Sequence, residues 1–279
     1  TINRTDLFPY VYLRHNLIKM MGFQLVGNLI FRKSITRPYY EALNPYQKYI
    51  DPYLFESGNP ALKPQFTTNY EFNITADDFP VFSAGINQTK NIFSNVTYQD
   101  DVTKIAYRTY DNLGSNKEYY LRLFGGIPPG GKYTFYTGVQ YNYNIYNGSY
   151  QNQLLNYKRG SYTFFLYQEL KINKTLRTSM HGFMRTKGLQ NFYELENFGA
   201  LWLDITKTFF KQKFTVSLSG NDILKTNKID FALKQANINA YGSRVNDARR
   251  IGLTLRYNFG IKPKEEKSRQ MDMPQDGNN

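Results

Sequence analysis

The chain has no cysteine, one tryptophan and two histidines in 279 residues. The missing thiols exclude a disulfide framework, a thiolate metal centre and a cysteine nucleophile at once. The histidines, His15 and His181, have no carboxylates around them at ligand spacing, so no metal and no cofactor is expected. No run approaches eighteen apolar residues, which excludes a membrane-crossing helix. A crossing β-strand is not excluded, because it needs only about 9 to 11 residues, alternating rather than continuous. The first residues, TINRTDLFPYVYL, lack the basic-then-apolar order of a signal peptide and pass almost directly into a strand-like segment, as in a mature chain or a fragment that starts upstream.

What is abundant is aromatic and cationic. Tyrosine (25) and phenylalanine (21) bring the aromatic share to 17%, and the net charge is +13. In a soluble protein that charge would raise nucleic-acid binding, but the Lys and Arg are scattered through turns and strand ends. Nucleic acid is therefore not an expected partner, and anionic lipid headgroups suit the same charge.

The aromatics alternate with polar residues. In KYTFYTGVQYNYNIYN, Tyr133, Phe135, Thr137, Val139, Tyr141, Tyr143 and Ile145 fall on one face and Gln140 and Asn142 on the other. In the last such segment Ile251, Leu253, Leu255, Tyr257 and Phe259 oppose Arg250, Gly252, Thr254, Arg256 and Asn258. Two arginines and an asparagine do not line a dry sandwich core; they fit a wet lumen. On this reading Arg122, Gln140, Asn142, Glu169, Trp202, Asp204 and Arg256 face inward, while tyrosines at strand ends (Tyr10, Tyr12, Tyr119, Tyr133, Tyr146, Tyr162, Tyr257) form interfacial girdles.

The predicted class is all-β: a transmembrane antiparallel barrel with about eleven strands, near 7–15, 20–34, 66–75, 81–98, 103–126, 132–147, 158–171, 175–187, 193–208, 212–222 and 246–259. Tight joins are expected at 15–19, 76–80, 128–131, 172–175 and 209–212, and longer excursions at 34–65, 99–102, 147–158, 187–192 and 222–245. Short turns on one side and long loops on the other suit an outer-membrane barrel, with the turns periplasmic. Eleven is odd and such barrels have even strand numbers, so strands are expected to precede these. Residues 1–260 form the barrel and 261–279 a charged periplasmic tail.

Residues 37–64, RPYYEALNPYQKYIDPYLFESGNPALKP, interrupt the alternation. Five prolines and one glycine forbid a long helix or an unbroken strand there. So long a loop is characteristically a lid or binding loop. Its prolines restrict its freedom, so it can close over a barrel mouth at small entropic cost. Arg37, Tyr39, Tyr40, Asn44, Tyr46, Tyr49, Tyr53 and Asn59 are the candidate ligand contacts.

The same stretch carries a resemblance. Phe31-Arg32, Arg37-Pro38, Leu43-Asn44-Pro45 and Gly58-Asn59-Pro60-x-Leu62-x-Pro64, followed by the strand QFTTNYEFNI, resemble the mid-barrel signature of TonB-dependent receptors of the Bacteroidetes-type outer-membrane β-barrel family. Gln65 stands where that family usually has an acidic residue, and the closing SLSGNDILKTNK…RRIGLTLRYNFG is similar to the family's last strands. The resemblance implies a 22-stranded barrel of which this chain is the C-terminal half, strands 12 to 22. It also implies import of a peptide, glycan or metal chelate across the outer membrane of a Gram-negative bacterium. The implied partners are membrane lipids, a plug domain and the remaining strands, TonB through the plug, and a surface lipoprotein.

Three other readings compete. A structural barrel subunit of a larger secretion or assembly complex fits the same strands. A soluble all-β binding protein fits the composition. A rim-sited hydrolase would need His181, which sits mid-strand in SMHGFM, so the chain is not expected to be an enzyme. The six Asn-x-Ser/Thr matches fall partly inside strands of an Asn- and Thr-rich chain and read as coincidence, and FGGIPPGGK reads as a tight turn rather than a phosphate loop.

Overall fold

The computed structural model describes residues 5–20, 22–100, 102, 105–127, 131–150, 153–190, 193–235, 238–245 and 247–259. Strands β1 (Tyr10–Met20) and β2 (Phe23–Thr36) lead into a one-turn helix α1 (Tyr40–Leu43) and the short strands β3 (Lys48–Asp51) and β4 (Leu54–Glu56). Then follow β5 (Gln65–Ala76), β6 (Phe79–Gln99), β7 (Ala106–Ile127), β8 (Tyr133–Tyr150), β9 (Gln153–Lys171) and β10 (Leu176–Arg185). The remainder comprises β11 (Gly188–Gln190), β12 (Tyr193–Leu195), β13 (Phe198–Phe209), β14 (Phe214–Asn221), β15 (Lys228–Gln235), β16 (Ile238–Val245) and β17 (Arg250–Tyr257).

Eleven of these strands form one antiparallel meander in the order β1-β2-β5-β6-β7-β8-β9-β10-β13-β14-β17, as the alternation predicts. Among the described residues no pairing joins β1 to β17, so the sheet has two open edges. No helix of the described residues is long and apolar enough to cross a membrane.

Register keeps the two faces apart. One cross-strand row runs Arg14, Asn28, Asn73, Ser83, Arg122, Gln140 and Thr163. The adjacent row on the other face runs Leu13, Leu29, Phe72, Ala84, Leu121, Tyr141 and Tyr162. A slip of one residue in any pair would mix them, so the pattern of burial specifies the register.

Four sequence expectations change. The first join is not at 15–19: β1 runs on to Met20 through an irregularity between Asn16 and Lys19, and the turn contains Gly22 at φ 87°, a left-handed conformation that favours glycine. The excursion at 147–158 is mostly strand, because β8 and β9 pair up to Tyr150 and Gln153. The excursions at 187–192 and 222–245 are not plain loops and the strand expected at 193–208 is divided: β11, β12, β15 and β16 form a second sheet, and the long strand β13 begins only at Phe198. Tyr12 and Tyr146 are not girdle residues: the Tyr12 hydroxyl donates to Asn28 Oδ1 on the polar face, and Tyr146 lies in a buried cluster. The tail at 261–279 and most of the turn at 128–131 lie outside the described residues.

Strands β6 to β9 have 21, 22, 18 and 19 residues, about twice what a bilayer requires. Toward the long-loop end they surround a core of Ile92, Val96, Leu113, Tyr146, Tyr150, Leu155 and Leu189.

Candidate functional site

The mid-height polar face carries a chain of hydrogen bonds across five neighbouring strands and onto a sixth. Tyr12 donates to Asn28 Oδ1 at 2.6 Å, Asn28 to Asn73 Oδ1 at 2.7 Å and Asn73 to Glu71 Oε1 at 2.9 Å. The Tyr120 hydroxyl donates to Glu71 Oε2 at 2.6 Å and accepts from Asn69 at 3.1 Å. Asn69 also donates to Asn87 Oδ1, Asn87 to Glu118 Oε2, Asn142 to Glu118 Oε1 and Gln140 to Asn142 Oδ1. Two carboxylates are thus held by amide and phenol donors, with the Arg122 guanidinium 4.4 Å above the Tyr120 ring. Among the described residues, the Arg122 Nε and the Oδ1 atoms of Asn69 and Asn116 are buried without a partner.

Of the predicted inward residues, this chain joins Gln140 and Asn142, and Arg122 flanks it. Glu169, Trp202, Asp204 and Arg256 share the polar face by register but lie outside the chain. Trp202 stacks on His181 at 5.0 Å and Asp204 accepts a long bond from Ser179 at 3.5 Å. Glu169 lies 4.0 Å from Lys171, and Arg256 bonds Asn258 at an exposed strand end. Sequence reasoning missed Glu118, Asn87 and Tyr120 as site residues. The available signal was period two along β7, which puts Tyr120 and Glu118 two and four residues from Arg122 on the same face, and along β6, where Asn87 shares a face with Ser83 and Gly85.

The long-loop end is organised by residues 37–64, which fold as a strap. Strand β4 pairs parallel with β7, Leu54 with Ala106 and Glu56 with Arg108, and the Gly-Asn-Pro segment continues up β7. Asn59 donates to the Tyr110 carbonyl at 3.0 Å, the Lys63 amide donates to Asn112 Oδ1 at 2.8 Å, and Asn112 returns a bond to the Lys63 carbonyl. Gly58 lies so close to α1 that a Cβ there would meet Asn44 and Glu41 backbone atoms at 2.6 Å.

The strap separates its candidate residues into two groups. Asn44 and Asn59 are used in folding it, since Asn44 Oδ1 accepts from the Tyr46 amide and Asn59 Oδ1 from the Ala61 amide. Arg37 is exposed, as are Tyr39, Tyr40, Tyr46, Tyr49 and Tyr53, the tyrosines by 48 to 75%. Tyr39 packs edge-on against Tyr110 at 5.5 Å, and burial, then the Tyr110 bond and the Glu41 charge, push its phenol up to about 12.

From Tyr49 a run of rings enters the wall: Tyr49 to Phe55, Phe55 to Tyr107, Tyr107 to Tyr98 and Tyr98 to Tyr150, with centroids 5.1 to 5.5 Å apart. Burial and a hydrogen bond to Asp111 raise the Tyr98 phenol well above its ordinary range. Only the outer end of the run is open: the Tyr49 ring, 62% exposed, offers flat apolar area to a planar ligand, while Tyr98 and Tyr150 are packed inside with their hydroxyls already donating. Among the described residues no group of three or more His, Asp or Glu could hold a metal ion.

Residues 1–257 match the family described as outer membrane protein beta-barrel family. The chain belongs to that family. Of solved structures, the siderophore receptor PirA from Pseudomonas aeruginosa is similar over 90% of this chain and 42% of its own, at 14% identity and TM-score 0.59. A mutant of the ferric enterobactin receptor PfeA from the same organism, in complex with enterobactin, is similar over 78% of this chain and 35% of its own, at 14% identity and TM-score 0.53. The chain thus spans about two fifths of the receptors it matches, and the likeness is one of fold. No curated protein sequence matches it significantly.

In an outer-membrane barrel the apolar face meets lipid and the polar face the lumen. On the lipid face of β17, Ile251, Leu253, Leu255 and Tyr257 are 48 to 86% exposed, and Phe259 just beyond the strand is 88% exposed. Among the described residues β17 hydrogen-bonds only to β14, and β1 only to β2, so each edge of the sheet presents backbone donors and acceptors. Ring pairs occupy two levels of the apolar face, as girdles at the borders of a membrane would: Phe209, Phe214 and Tyr257 near the short turns, Tyr141 and Tyr162 toward the loops.

Proposed function

We propose that this chain is the barrel wall of a TonB-dependent outer-membrane importer. Its strap and aromatic run receive a ligand at the extracellular mouth, and its polar lumen borders a plug through which TonB supplies energy. The observation that carries this reading is the ring run from exposed Tyr49 into the wall, directly above a lumen lined by Glu71, Glu118 and amides. Backbone groups cannot stay unsatisfied in lipid, so the edges of β1 and β17 are completed by further strands. The cargo would be a metal chelate, peptide or glycan with a flat face.

The test is uptake of labelled cargo of those three classes by cells carrying Tyr46, Tyr49 and Tyr53 replaced by alanine, with and without functional TonB. A loss of TonB-dependent uptake at unchanged membrane level supports import. Uptake of every class unaffected by both changes overturns it. The open edges also suit a second reading, a structural subunit that closes its barrel with partner chains in a larger complex. Intact mass and composition of the complex extracted from native membranes separate the two.

A further inference from the structure

The lipid face is not uniformly filled. Two adjacent cross-strand rows, Thr137-Leu166-Gly182-Leu201 and Val139-Phe164-Met184-Gly199, each lose a side chain, the first at β10 and the second at β13. The two gaps are diagonal neighbours and leave a trough of about 450 Å³ between the side chains of Phe164, Leu166, Met184 and Leu201. The gaps are obligatory here. A Cβ at Gly182 would meet the Ala200 carbonyl at 2.7 Å, and one at Gly199 the Phe183 carbonyl at 2.4 Å.

Its depth is set by the neighbouring rings. Phe164 and Leu166 are two and four residues below Tyr162, roughly 7 to 13 Å at ~3.3 Å per residue. The apolar band of such barrels is about 25 Å tall, so the trough opens into the outer half of the bilayer. Its upper end is lined by Leu224, Thr226 and Asn197 from the loops above. Beside Leu224, which is 62% exposed, stands Lys225, exposed and without an ion pair among the described residues. Lys158, also exposed, projects from the same face of β9 four residues above Tyr162.

We propose that this trough seats an acyl chain of a phosphorylated glycolipid of the outer leaflet, with the phosphate on Lys225 and the sugar hydroxyls against Thr226 and Asn197. An apolar slot that opens sideways into lipid is filled by hydrocarbon, because no polar ligand gains by entering it. The cation and the small polar residues stand at its headgroup end, where an anionic sugar lipid has its phosphate. The assignment is independent of what the barrel transports and rests on membership of the outer-membrane family together with the long loops facing outward and Tyr162 at the outer border.

The intact protein, purified from outer membranes and delipidated in mild detergent, is tested by native mass spectrometry with three probes: diphosphoryl lipid A, phosphatidylglycerol and phosphatidylethanolamine. Lipid A is expected to be retained at least tenfold over phosphatidylethanolamine. Lys225→Ala should weaken it about fivefold, the value of one interfacial cation. Leu166→Trp, which fills the trough from its wall, should weaken it further while heat-modifiable migration stays normal. If Leu166→Trp does not fold, Thr137→Leu narrows the same row from the adjoining strand. Equal retention of phosphatidylglycerol overturns the glycolipid assignment. Lipid A binding unchanged in both variants overturns the trough as its seat.

Discussion

Along the same strands, β6 to β9, one face has two characters. At membrane level it is a hydrogen-bonded chain of Asn, Gln, Tyr and Glu118; beyond the membrane it is a dry core around Leu113, Tyr146 and Tyr150. The alternation is interrupted between the two regions, by register shifts between Thr89 and Ile92 and between Ile92 and Phe93 where β6 pairs with β7. The difference lies in what covers the face: at membrane level it borders the lumen, whereas above it β11 supplies Leu189 and the strap lies along β7. A polar side chain is tolerated where donors and acceptors can be matched, and an aromatic one where neighbours exclude water.

The largest break in this contrast comes from Tyr150→Ala. Tyr150 is 2% exposed, stacks on Tyr98 at 5.1 Å and donates to the Thr97 carbonyl. Its truncation should cost about 3–5 kcal/mol locally, seen as rapid proteolysis of the extracellular loops while the barrel stays resistant. A barrel that loses protease resistance along with the loops would show that the two parts are not separable.

Tyr120→Phe acts on the other half. It removes the donor to Glu71 Oε2 and an acceptor for Asn69, and leaving a carboxylate oxygen unsatisfied should cost about 1–3 kcal/mol. The unfolding temperature of the barrel should fall while loop proteolysis is unchanged. Arg108→Ala, which deletes the 2.7 Å pair with Glu56, should change stability by less than about 1 kcal/mol because both partners are substantially exposed. A larger loss would assign the ion pair, rather than the backbone pairing, the main part in holding the strap.

The smallest effect is on Tyr39. Its phenol is raised from about 10 to about 12, so the neutral form is favoured when folded. Its stabilising contribution is complete below about pH 10 and is lost between about pH 10 and 12. Ultraviolet titration of Tyr39→Phe against the parent should remove one late-ionising phenol, and a Tyr39 that titrates at 10 would contradict the packing against Tyr110.

Much of this was legible in the sequence, and for a definite reason. Period two assigns each side chain to a face without knowledge of its neighbours, so the eleven long strands and the shared face of Arg122, Gln140, Asn142, Glu169, Trp202, Asp204 and Arg256 follow from spacing alone. The first turn was misplaced because a strand irregularity between Asn16 and Lys19 resembles a polar turn in sequence. The second sheet was missed because its short strands pair at long range, β12 with β15, and carry little alternation of their own.

By itself, then, the sequence determined an all-β chain with one apolar and one polar face, a proline-rich strap and no helical span. The tertiary structure alone decided which polar residues meet, since Glu71 and Tyr120 lie 49 positions apart. It also decided that the strap lies along β7, separating Asn44 and Asn59 from the exposed tyrosines, and that Gly182 and Gly199 open onto one trough. Periodicity assigns a residue to a face, whereas its neighbours depend on the register of other strands, and that register is set only when all the strands bury their apolar rows together.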